Sequence, residues 1–168
     1  MIVLSLLQEI PVFDRLSEKQ LKKIQRVLRQ DVVGGDTVVI REGEKGHEMY
    51  ILLDGEVQIS KSVGTKGLQV DRNQQEKSLI RLDGSDHAFF GEMAILDPIS
   101  TRIATVTTTR KSILAVLRRS DFFSIAKDDV DLAFTVTFNI AKILSARLAK
   151  TNQDILKLTL ALTLALER

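Results

Sequence analysis

Hydrophobic and polar positions divide the chain into three parts with different periodicities. All nine glycines fall between Gly34 and Gly91, both prolines lie at or before Pro98, and no strong helix breaker follows. Short apolar runs typical of strands fill the glycine-containing middle, whereas apolar residues at helical spacing dominate both ends. We therefore predict N-terminal helices over residues 1–30, a strand-rich domain over 31–119 and C-terminal helices over 120–168.

The N-terminal part predicts two helices. Residues 1–10 form an apolar run that ends at Glu9 and Pro11. A secretory signal has basic residues before its apolar stretch, and this run has none. We therefore predict a short helix that packs on the core. In residues 17–30, Ser17 and Gln20 have the spacing of a capping box. The apolar residues of this segment recur on one helical face: Leu21, Ile24, Val27 and Leu28.

The middle of the chain contains six short β-like runs, at residues 37–41, 49–53, 56–61, 78–82, 103–109 and 112–117. Asp54-Gly55 separates two of them and predicts a two-residue hairpin, while the polar residues 62–77 predict a long exposed loop. Many short strands with frequent turns imply a β-sandwich or barrel. Ser120 is then predicted to cap a short helix.

The last part predicts one long helix from about Asp129 to the C-terminus. Eight residues at alternating spacings of three and four form a coiled-coil seam: Ala141, Leu144, Leu148, Thr151, Ile155, Leu158, Leu162 and Ala165. About 38 residues at 1.5 Å each would span ~57 Å, well past one small domain, which favours pairing with a second copy. The alternative is that the seam packs on the protein's own barrel.

Leucines also occupy every even position from 156 to 166, a spacing of two that is typical of a strand. We still predict a helix, because leucine and alanine favour helices and no turn interrupts the run. On a helix these leucines surround the axis, so this end is expected to be buried in an oligomer or by another partner.

Composition excludes several function classes. The net charge of +2, from 24 basic and 22 acidic residues, gives little attraction for nucleic acid or anionic membranes. The chain has no cysteine and only two histidines, His47 and His87, which excludes disulfides, thiolate catalysis and cysteine- or histidine-rich metal sites. No run of 18 uncharged apolar residues predicts a transmembrane span, so a cytoplasmic location is expected. No catalytic motif is evident, and we predict neither an enzyme nor a metal site.

The candidate chemistry lies in residues 90–106. Gly91 permits close backbone approach, and residues 92–96 can start a helical turn whose free N–H groups bind an anion. Arg102 supplies a planar charged fork suited to phosphate. Glu92 can accept hydrogen bonds from a sugar hydroxyl. Together these groups would suit a ribose-phosphate ligand.

Three stretches of the sequence resemble the cyclic nucleotide-binding domain family of catabolite activator-type regulators, kinase regulatory subunits and gated channels. FGEMAIL followed by RIATV resembles the family's phosphate-binding cassette, and IREGEKGHEMYILLDGEVQIS and IPVFDRLSEKQLKKI resemble its first hairpin and its start. The resemblance covers residues 10–150 or so. It implies a mainly β fold with flanking helices: a β-roll or jelly-roll barrel with N-terminal helices, the cassette and a long C-terminal helix.

The resemblance implies a cAMP or cGMP ligand. In the cassette beginning at Gly91, Glu92 would hold the ribose 2′-hydroxyl and Arg102 the cyclic phosphate, with backbone N–H groups completing the phosphate cradle at Met93, Ala94 and Ile103. Ile59 and Leu79 match the positions that lie against the base. The segment 147–152 resembles the part of the catabolite activator's long helix that touches adenine, which makes Thr151 and Asn152 candidates for base contacts.

The sequence departs from the family pattern in two places. Ile103 stands where members usually have a small or hydroxylated residue, and the missing hydroxyl favours cAMP over cGMP. The approach to the cassette, GSDHAFFGE, is about two residues longer than usual.

The sequence thus favours a sensor that signals by moving its C-terminal helix. Its expected partners are a second copy of itself, paired through that helix, and an effector protein. DNA binding by this chain alone is not expected. The alternative is an oligomerisation or docking module of the same fold that binds no nucleotide.

Overall fold

The computed structural model describes residues 2–62, 76–97 and 101–166, with the backbone alone for residues 76–79. Most of the predicted loop 62–77 and Pro98 lie outside these residues. The described part contains five α-helices: α1 (Leu4–Glu9), α2 (Glu18–Val27), α3 (Met93–Leu96), α4 (Arg119–Asp128) and α5 (Val130–Leu166). Its eight strands are β1 (Arg29–Val33), β2 (Val38–Ile40), β3 (Glu48–Asp54), β4 (Glu56–Ser62), β5 (Glu76–Asp83), β6 (Phe89–Phe90), β7 (Thr105–Thr108) and β8 (Ser112–Arg118).

The strands form two antiparallel four-stranded sheets, in the orders β1-β8-β3-β6 and β2-β7-β4-β5. The mainly β jelly-roll with flanking helices is therefore confirmed. The predicted Asp54-Gly55 hairpin is wrong, because β3 and β4 lie in different sheets. Gly55 has φ 102° and makes the corner at which the chain passes between sheets, in a space that Ser112 leaves too small for a Cβ.

Helix boundaries differ from the predictions at two places. The capping box at Ser17 and Gln20 is present, but α2 ends at Val27, and Arg29 and Gln30 begin β1 instead of continuing the helix. Helix α4 begins at Arg119 with Arg118 as its N-cap, so Ser120 is not the cap; its hydroxyl contacts Asp121.

Apolar side chains form two cores. One lies inside the roll between the sheets and consists of Ile40, Leu52, Val57, Phe90, Val106 and Leu114. The larger one joins the β3–β8 sheet to the helices and includes Leu7, Phe13, Ile24, Phe122 and Val136. The first half of α5 belongs to this larger core.

Helix α5 is 37 residues long, about 55 Å, and confirms the predicted long C-terminal helix, including its alternating leucines. Leu132, Val136 and Ile140 are buried against the N-terminal helices. From Leu148 to Leu166 every residue is exposed.

By length and composition α5 also meets a criterion for a membrane-spanning helix, with a mean hydropathy of 1.3 in its most apolar 18-residue window. The sequence analysis predicted no such helix. The core helix of a soluble protein can meet the same criterion. In the first half of α5, Leu132, Val136 and Ile140 are buried, whereas Val130, Phe134 and Phe138 are exposed.

Candidate functional site

A cavity of about 140 Å³ opens between the inner strands of the roll and the segment that follows β6. Seven of the ten predicted site residues line it: Ile59, Gly91, Glu92, Met93, Ala94, Arg102 and Ile103. Strand β4 supplies Ile59, whereas the other six come from residues 91–94, at the start of α3, and from residues 102–103, which follow it. The structure therefore brings the cassette residues and one predicted base contact to the same cavity.

The Arg102 side chain occupies a narrow slot between two glycines. Its Nη1 donates to the Gly91 carbonyl at 3.1 Å and its Nη2 donates to the Glu48 carbonyl at 2.8 Å. A Cβ at Gly46 would overlap the guanidinium, and a Cβ at Gly91 would lie 2.8 Å from Nη1. The absence of side chains at Gly46 and Gly91 thus allows Arg102 to lie along the backbone.

The backbone also fixes Arg102. Its N–H donates to the Glu44 carbonyl at 2.8 Å, and its carbonyl accepts from the Gly43 N–H at 2.8 Å. An isolated bridge joins Lys45 to Thr101 next to it. The β2–β3 connection therefore holds the guanidinium at the edge of the cavity.

Burial opposes the charge of Arg102, while nearby groups favour it. Partial burial lowers the pKa of its guanidinium, and Tyr50, Glu48 and Glu92 act in the opposite direction. An arginine stays charged under these conditions. A partly desolvated cation at a cavity wall attracts an anion more strongly than one in water does.

Glu92 is half-buried and precedes α3 as its N-cap residue. Its carboxylate has no hydrogen bond to another residue in the described ranges, although its charge favours the charged forms of Arg102 and Arg147. Its oxygens can therefore accept hydrogen bonds from a hydroxyl group in the cavity.

One of the three predicted backbone amides already has a hydrogen-bond partner. The Ala94 N–H donates to the Gly91 carbonyl at 3.1 Å, because residues 91–94 form a tight turn at the start of α3. The amides of Met93 and Ile103 donate to no other residue among those described. Two of the three predicted amides can therefore still meet an anion without breaking an existing bond.

Apolar side chains form the remaining wall of the cavity: Ile40, Ile59, Phe90 and Val106. Tyr50 stacks on Phe90 with ring centroids 5.4 Å apart, which supports this wall from behind. Burial and the adjacent Glu48 raise the pKa of Tyr50 to about 12, and its hydroxyl donates to Glu48 Oε2 at 3.0 Å. Leu79 belongs to β5, but its side chain lies outside the described part of the structure.

Helix α5 reaches the cavity through Arg147. Its Nη2 donates to the Phe89 carbonyl at 3.0 Å, and its guanidinium lies 4.5 Å from the centre of the Phe89 ring. Burial lowers the pKa of Arg147, and Glu92 opposes that shift. Thr151 and Asn152 lie about one helical turn further along, are exposed and do not line the cavity. The structure does not bring these two candidates to the site.

A larger groove of about 760 Å³ lies on the other side of Arg102. It runs between the β2–β3 connection and the start of α4, with both Arg102 and Gly46 in its wall. It has carboxylates and apolar side chains of its own, but neither Glu92 nor the cassette residues 91–94 and 103 reach it, whereas the smaller cavity brings them together with Arg102. The smaller cavity is therefore the better candidate site.

Sequence reasoning missed the roles of Gly46 and Arg147. Gly46 lies in the REGEKG segment, but its contact with Arg102 depends on folding across 56 positions. Arg147 is the first residue of a segment already compared with the family, and its basic charge was the available signal.

No cluster of His, Cys, Asp and Glu that could hold a metal occurs among residues 2–62, 76–97 and 101–166.

Known proteins share the sequence pattern and the fold of this chain. A family model described as cyclic nucleotide-binding domain matches residues 30–129. The cAMP-dependent protein kinase regulatory subunit of Schizosaccharomyces pombe is 29% identical over 128 residues, which are 76% of this chain and 27% of that protein. The chain spans about a tenth to a third of the length of the curated relatives it matches.

Two solved structures show the same fold. A cyclic nucleotide-binding domain from Methylobacillus flagellatus has a TM-score of 0.76 and 21% identity, covering 92% of this chain and 80% of that chain. The regulatory domain of Toxoplasma gondii PKA, solved with cAMP, has a TM-score of 0.60 and 30% identity, covering 74% of this chain and 43% of that one. Together with the family match over 30–129, these likenesses show that the chain belongs to the cyclic nucleotide-binding domain family and carries a regulatory domain of that type.

Proposed function

We propose that this domain binds cAMP in preference to cGMP and transmits binding through α5. The observation that carries the proposal is the Arg102 guanidinium, held between Gly46 and Gly91 at the wall of a cavity that also contains Glu92. A fixed cation beside a free carboxylate matches a ligand that combines a phosphate with a ribose hydroxyl.

The phosphate would bind Arg102 together with the amides of Met93 and Ile103. Arg102 can offer further N–H donors while Gly91 and Glu48 hold its orientation, since a guanidinium carries five. Glu92 would accept the ribose 2′-hydroxyl. The base would lie on the apolar wall that contains Ile59.

One consideration supports cAMP. Ile103 offers no hydroxyl to a guanine amino group and is 62% exposed beside the cavity. The relatives at 28–31% identity include both cAMP-dependent and cGMP-dependent protein kinases, so their names do not distinguish the two ligands. The preference rests on Ile103 alone.

Nucleotide entry requires movement, since sites that take drug-sized ligands measure about 300–1,000 Å³ and this cavity measures about 140 Å³. Arg147 lines the same cavity as Glu92 and donates to the Phe89 carbonyl, so a bound nucleotide would compete for the space that Arg147 occupies. Displacement of Arg147 would move α5, and the ligand shifts this equilibrium by its differential affinity for the two arrangements. A bend of α5 beyond Ile140 could bring Thr151 and Asn152, which follow Arg147 by about one turn, towards the base.

The start of α5 stays fixed during such a movement. Asn139 is buried and its Nδ2 donates to the carbonyls of Val12 at 3.2 Å and Asp14 at 2.8 Å. Leu132 and Ile140 pack in the larger core on the same side. Movement is therefore expected beyond Ile140, with Arg147 as the last contact between α5 and the cavity.

The exposed part of α5 would pair with a second copy along the seam. Seam residues Leu148, Ile155, Leu158 and Leu162 are 56–71% exposed, and Val130 and Phe134 continue the same spacing of three and four upstream. A homodimer, an effector protein that responds to α5 and a cytoplasmic location are parts of the proposal. The competing function is a docking or oligomerisation module that binds no nucleotide, which the bulk of Ile103 favours.

Isothermal titration calorimetry of the nucleotide-stripped protein with cAMP, cGMP and 5′-AMP tests the proposal. We expect cAMP to bind with micromolar or tighter affinity, cGMP more weakly, and 5′-AMP more weakly still because its open phosphate carries additional charge near Glu92. Tighter binding of cGMP would overturn the base preference. No heat from any nucleotide at millimolar concentration, with the protein shown to be folded, would favour the docking module.

A further inference from the structure

The larger groove beside Arg102 is lined by an excess of basic side chains. Among the residues that the structure describes, five basic side chains and two carboxylates line this volume of about 760 Å³. The basic side chains are those of Arg41, Lys45, Arg102, Arg118 and Arg119. With histidine counted as neutral, the groove carries a formal charge of +3, whereas the full chain of 168 residues carries +2. We call it the basic groove.

Both carboxylates of the basic groove already have an arginine partner. Glu48 accepts a hydrogen bond from Arg118 Nε at 3.1 Å, and Glu44 forms an exposed pair with Arg41 at 3.7 Å. Lys45 Nζ has neither a hydrogen bond nor an ion pair with another residue of the described ranges. Its ammonium and the remaining N–H groups of Arg118 can therefore donate to an anion.

Arg119 is held in the basic groove by neutral groups. Its Nη1 donates to the Ala94 carbonyl at 3.4 Å and to the Ile95 carbonyl, and its guanidinium lies 4.5 Å from the centre of the Phe123 ring. Carbonyls and an aromatic ring fix a guanidinium without removing its net charge. Phe123 is 42% exposed, so the groove also offers an apolar surface next to this charge.

We propose that the basic groove is a second ligand site, which binds a small organic polyphosphate. Its volume lies in the range of about 300–1,000 Å³ that is typical of small-molecule sites. Lys45, Arg102 and Arg119 have no carboxylate partner within hydrogen-bond distance among the described residues, and three such cations suit a ligand with several phosphates. The organic part would contact the Phe123 ring. Nucleic acid is a poorer occupant, because the small net charge of the chain gives it little attraction.

Arg102 separates the basic groove from the nucleotide cavity and connects the two. Its Nη1 donates to the carbonyl of Gly91, which lines the cavity, and its Nη2 donates to the carbonyl of Glu48, which lines the groove. A polyphosphate in the groove would share this guanidinium with the nucleotide phosphate, and the two anions would repel each other. Each ligand therefore lowers the affinity for the other by the same factor. This coupling rests on the proposed function, whereas the groove site does not.

Calorimetric titration of the nucleotide-stripped full chain with inorganic tripolyphosphate tests the groove site. We expect binding at least about tenfold tighter than that of inorganic phosphate, because several charged groups can reach separate basic side chains. The double variant Lys45→Gln with Arg118→Gln should weaken tripolyphosphate binding at least about tenfold. Its affinity for cAMP alone should stay close to that of the wild type, since neither residue lines the nucleotide cavity.

Lys111→Gln with Lys127→Gln is the matched control, because it removes the same charge at two exposed lysines outside both sites. It should bind tripolyphosphate as the wild type does, and thermal unfolding checks that both double variants are folded. Tripolyphosphate that binds no more tightly than phosphate would overturn the proposal. Equal weakening in the two double variants would overturn it as well, since net charge alone would then explain the binding.

Saturating tripolyphosphate should lower cAMP affinity at least about fivefold in the wild type, and unchanged affinity would contradict the shared use of Arg102. Failure of cAMP to bind at all would refute the proposed function, while the direct tripolyphosphate titration would still decide the groove site. A lipid headgroup can carry the same phosphates, so flotation with vesicles of phosphatidylcholine and phosphatidylinositol bisphosphate is the last comparison. We expect no flotation, and flotation that the groove variant abolishes would overturn the assignment to a free small molecule.

Discussion

Replacing Gly46 by alanine tests whether the slot around Arg102 positions the nucleotide phosphate. The new methyl group would overlap the guanidinium, so the side chain has to move by roughly 1 Å or more to reach ordinary contact distance. Charge-assisted hydrogen bonds weaken steeply with such a displacement. Because the guanidinium is shifted and not removed, we expect cAMP binding to weaken about 10- to 100-fold, or ~1.4–2.8 kcal/mol.

The fold should survive this substitution. Gly46 is not among the glycines with positive φ, which are Gly43, Gly55 and Gly91, so alanine imposes no backbone strain there. Gly34→Ala is the control, since its Cβ would meet only Thr37 Oγ1 at an ordinary 3.7 Å. Calorimetry measures cAMP affinity for both variants, and thermal unfolding checks that each is folded. Wild-type affinity in a folded Gly46→Ala protein would refute the role assigned to the slot.

Three further predictions concern α5 and its supports. Arg147→Ala should leave cAMP affinity within about tenfold of wild type. It should abolish the nucleotide-dependent change in distance between spin labels on α5 and β4, because it removes the contact between α5 and Phe89. A distance change equal to that of the wild type would contradict this coupling. Asn139→Ala should lower the free energy of unfolding by about 1–3 kcal/mol in urea titrations, since two carbonyls lose their donor, whereas the exposed Asn152→Ala should change it little. Lys23 lowers the pKa of Asp129 below its ordinary value of 3.8. The ionised carboxylate should therefore stabilise the folded protein fully above pH 3.8, and this stabilisation should disappear as the pH falls through the lower pKa of the folded state. Asp129→Asn should therefore reduce Tm at pH 7, and the deficit should shrink as the pH falls below 3.8; a deficit that stays constant as the pH falls would reject this cause.

Helices and most strands could be predicted from the sequence because their apolar periodicity is local. The final helix shows this, since leucine and alanine favour a helix over the strand-like spacing at 156–166, and α5 continues to Leu166. Strand β1 was missed because Arg29–Val33 has little alternation and follows a helix at once. The two-residue β6 offers too little pattern to identify.

Pairing and proximity could not be predicted in the same way. Asp54-Gly55 is a turn signal, but the partner of each strand depends on the whole roll, in which β3 pairs with β8 and β4 with β7. The motif identified Glu92 and Arg102, which line one cavity. It could not reveal Gly46 beside Arg102, because that contact exists only after residues far apart in the chain have folded together.

Titration of cAMP into the nucleotide-stripped wild type and the Arg102→Ala variant tests the central claim most directly. We expect micromolar or tighter binding by the wild type and a loss of about 2–5 kcal/mol in the variant, or ~30- to 5,000-fold, as for removal of one partner of a buried charge pair. Arg81→Ala is the control, since Arg81 is exposed and makes only a loose pair with Glu56 at 3.6 Å; its affinity should equal that of the wild type. Equal cAMP affinity of the wild type and a folded Arg102→Ala protein would show that the cavity beside Arg102 does not hold the phosphate.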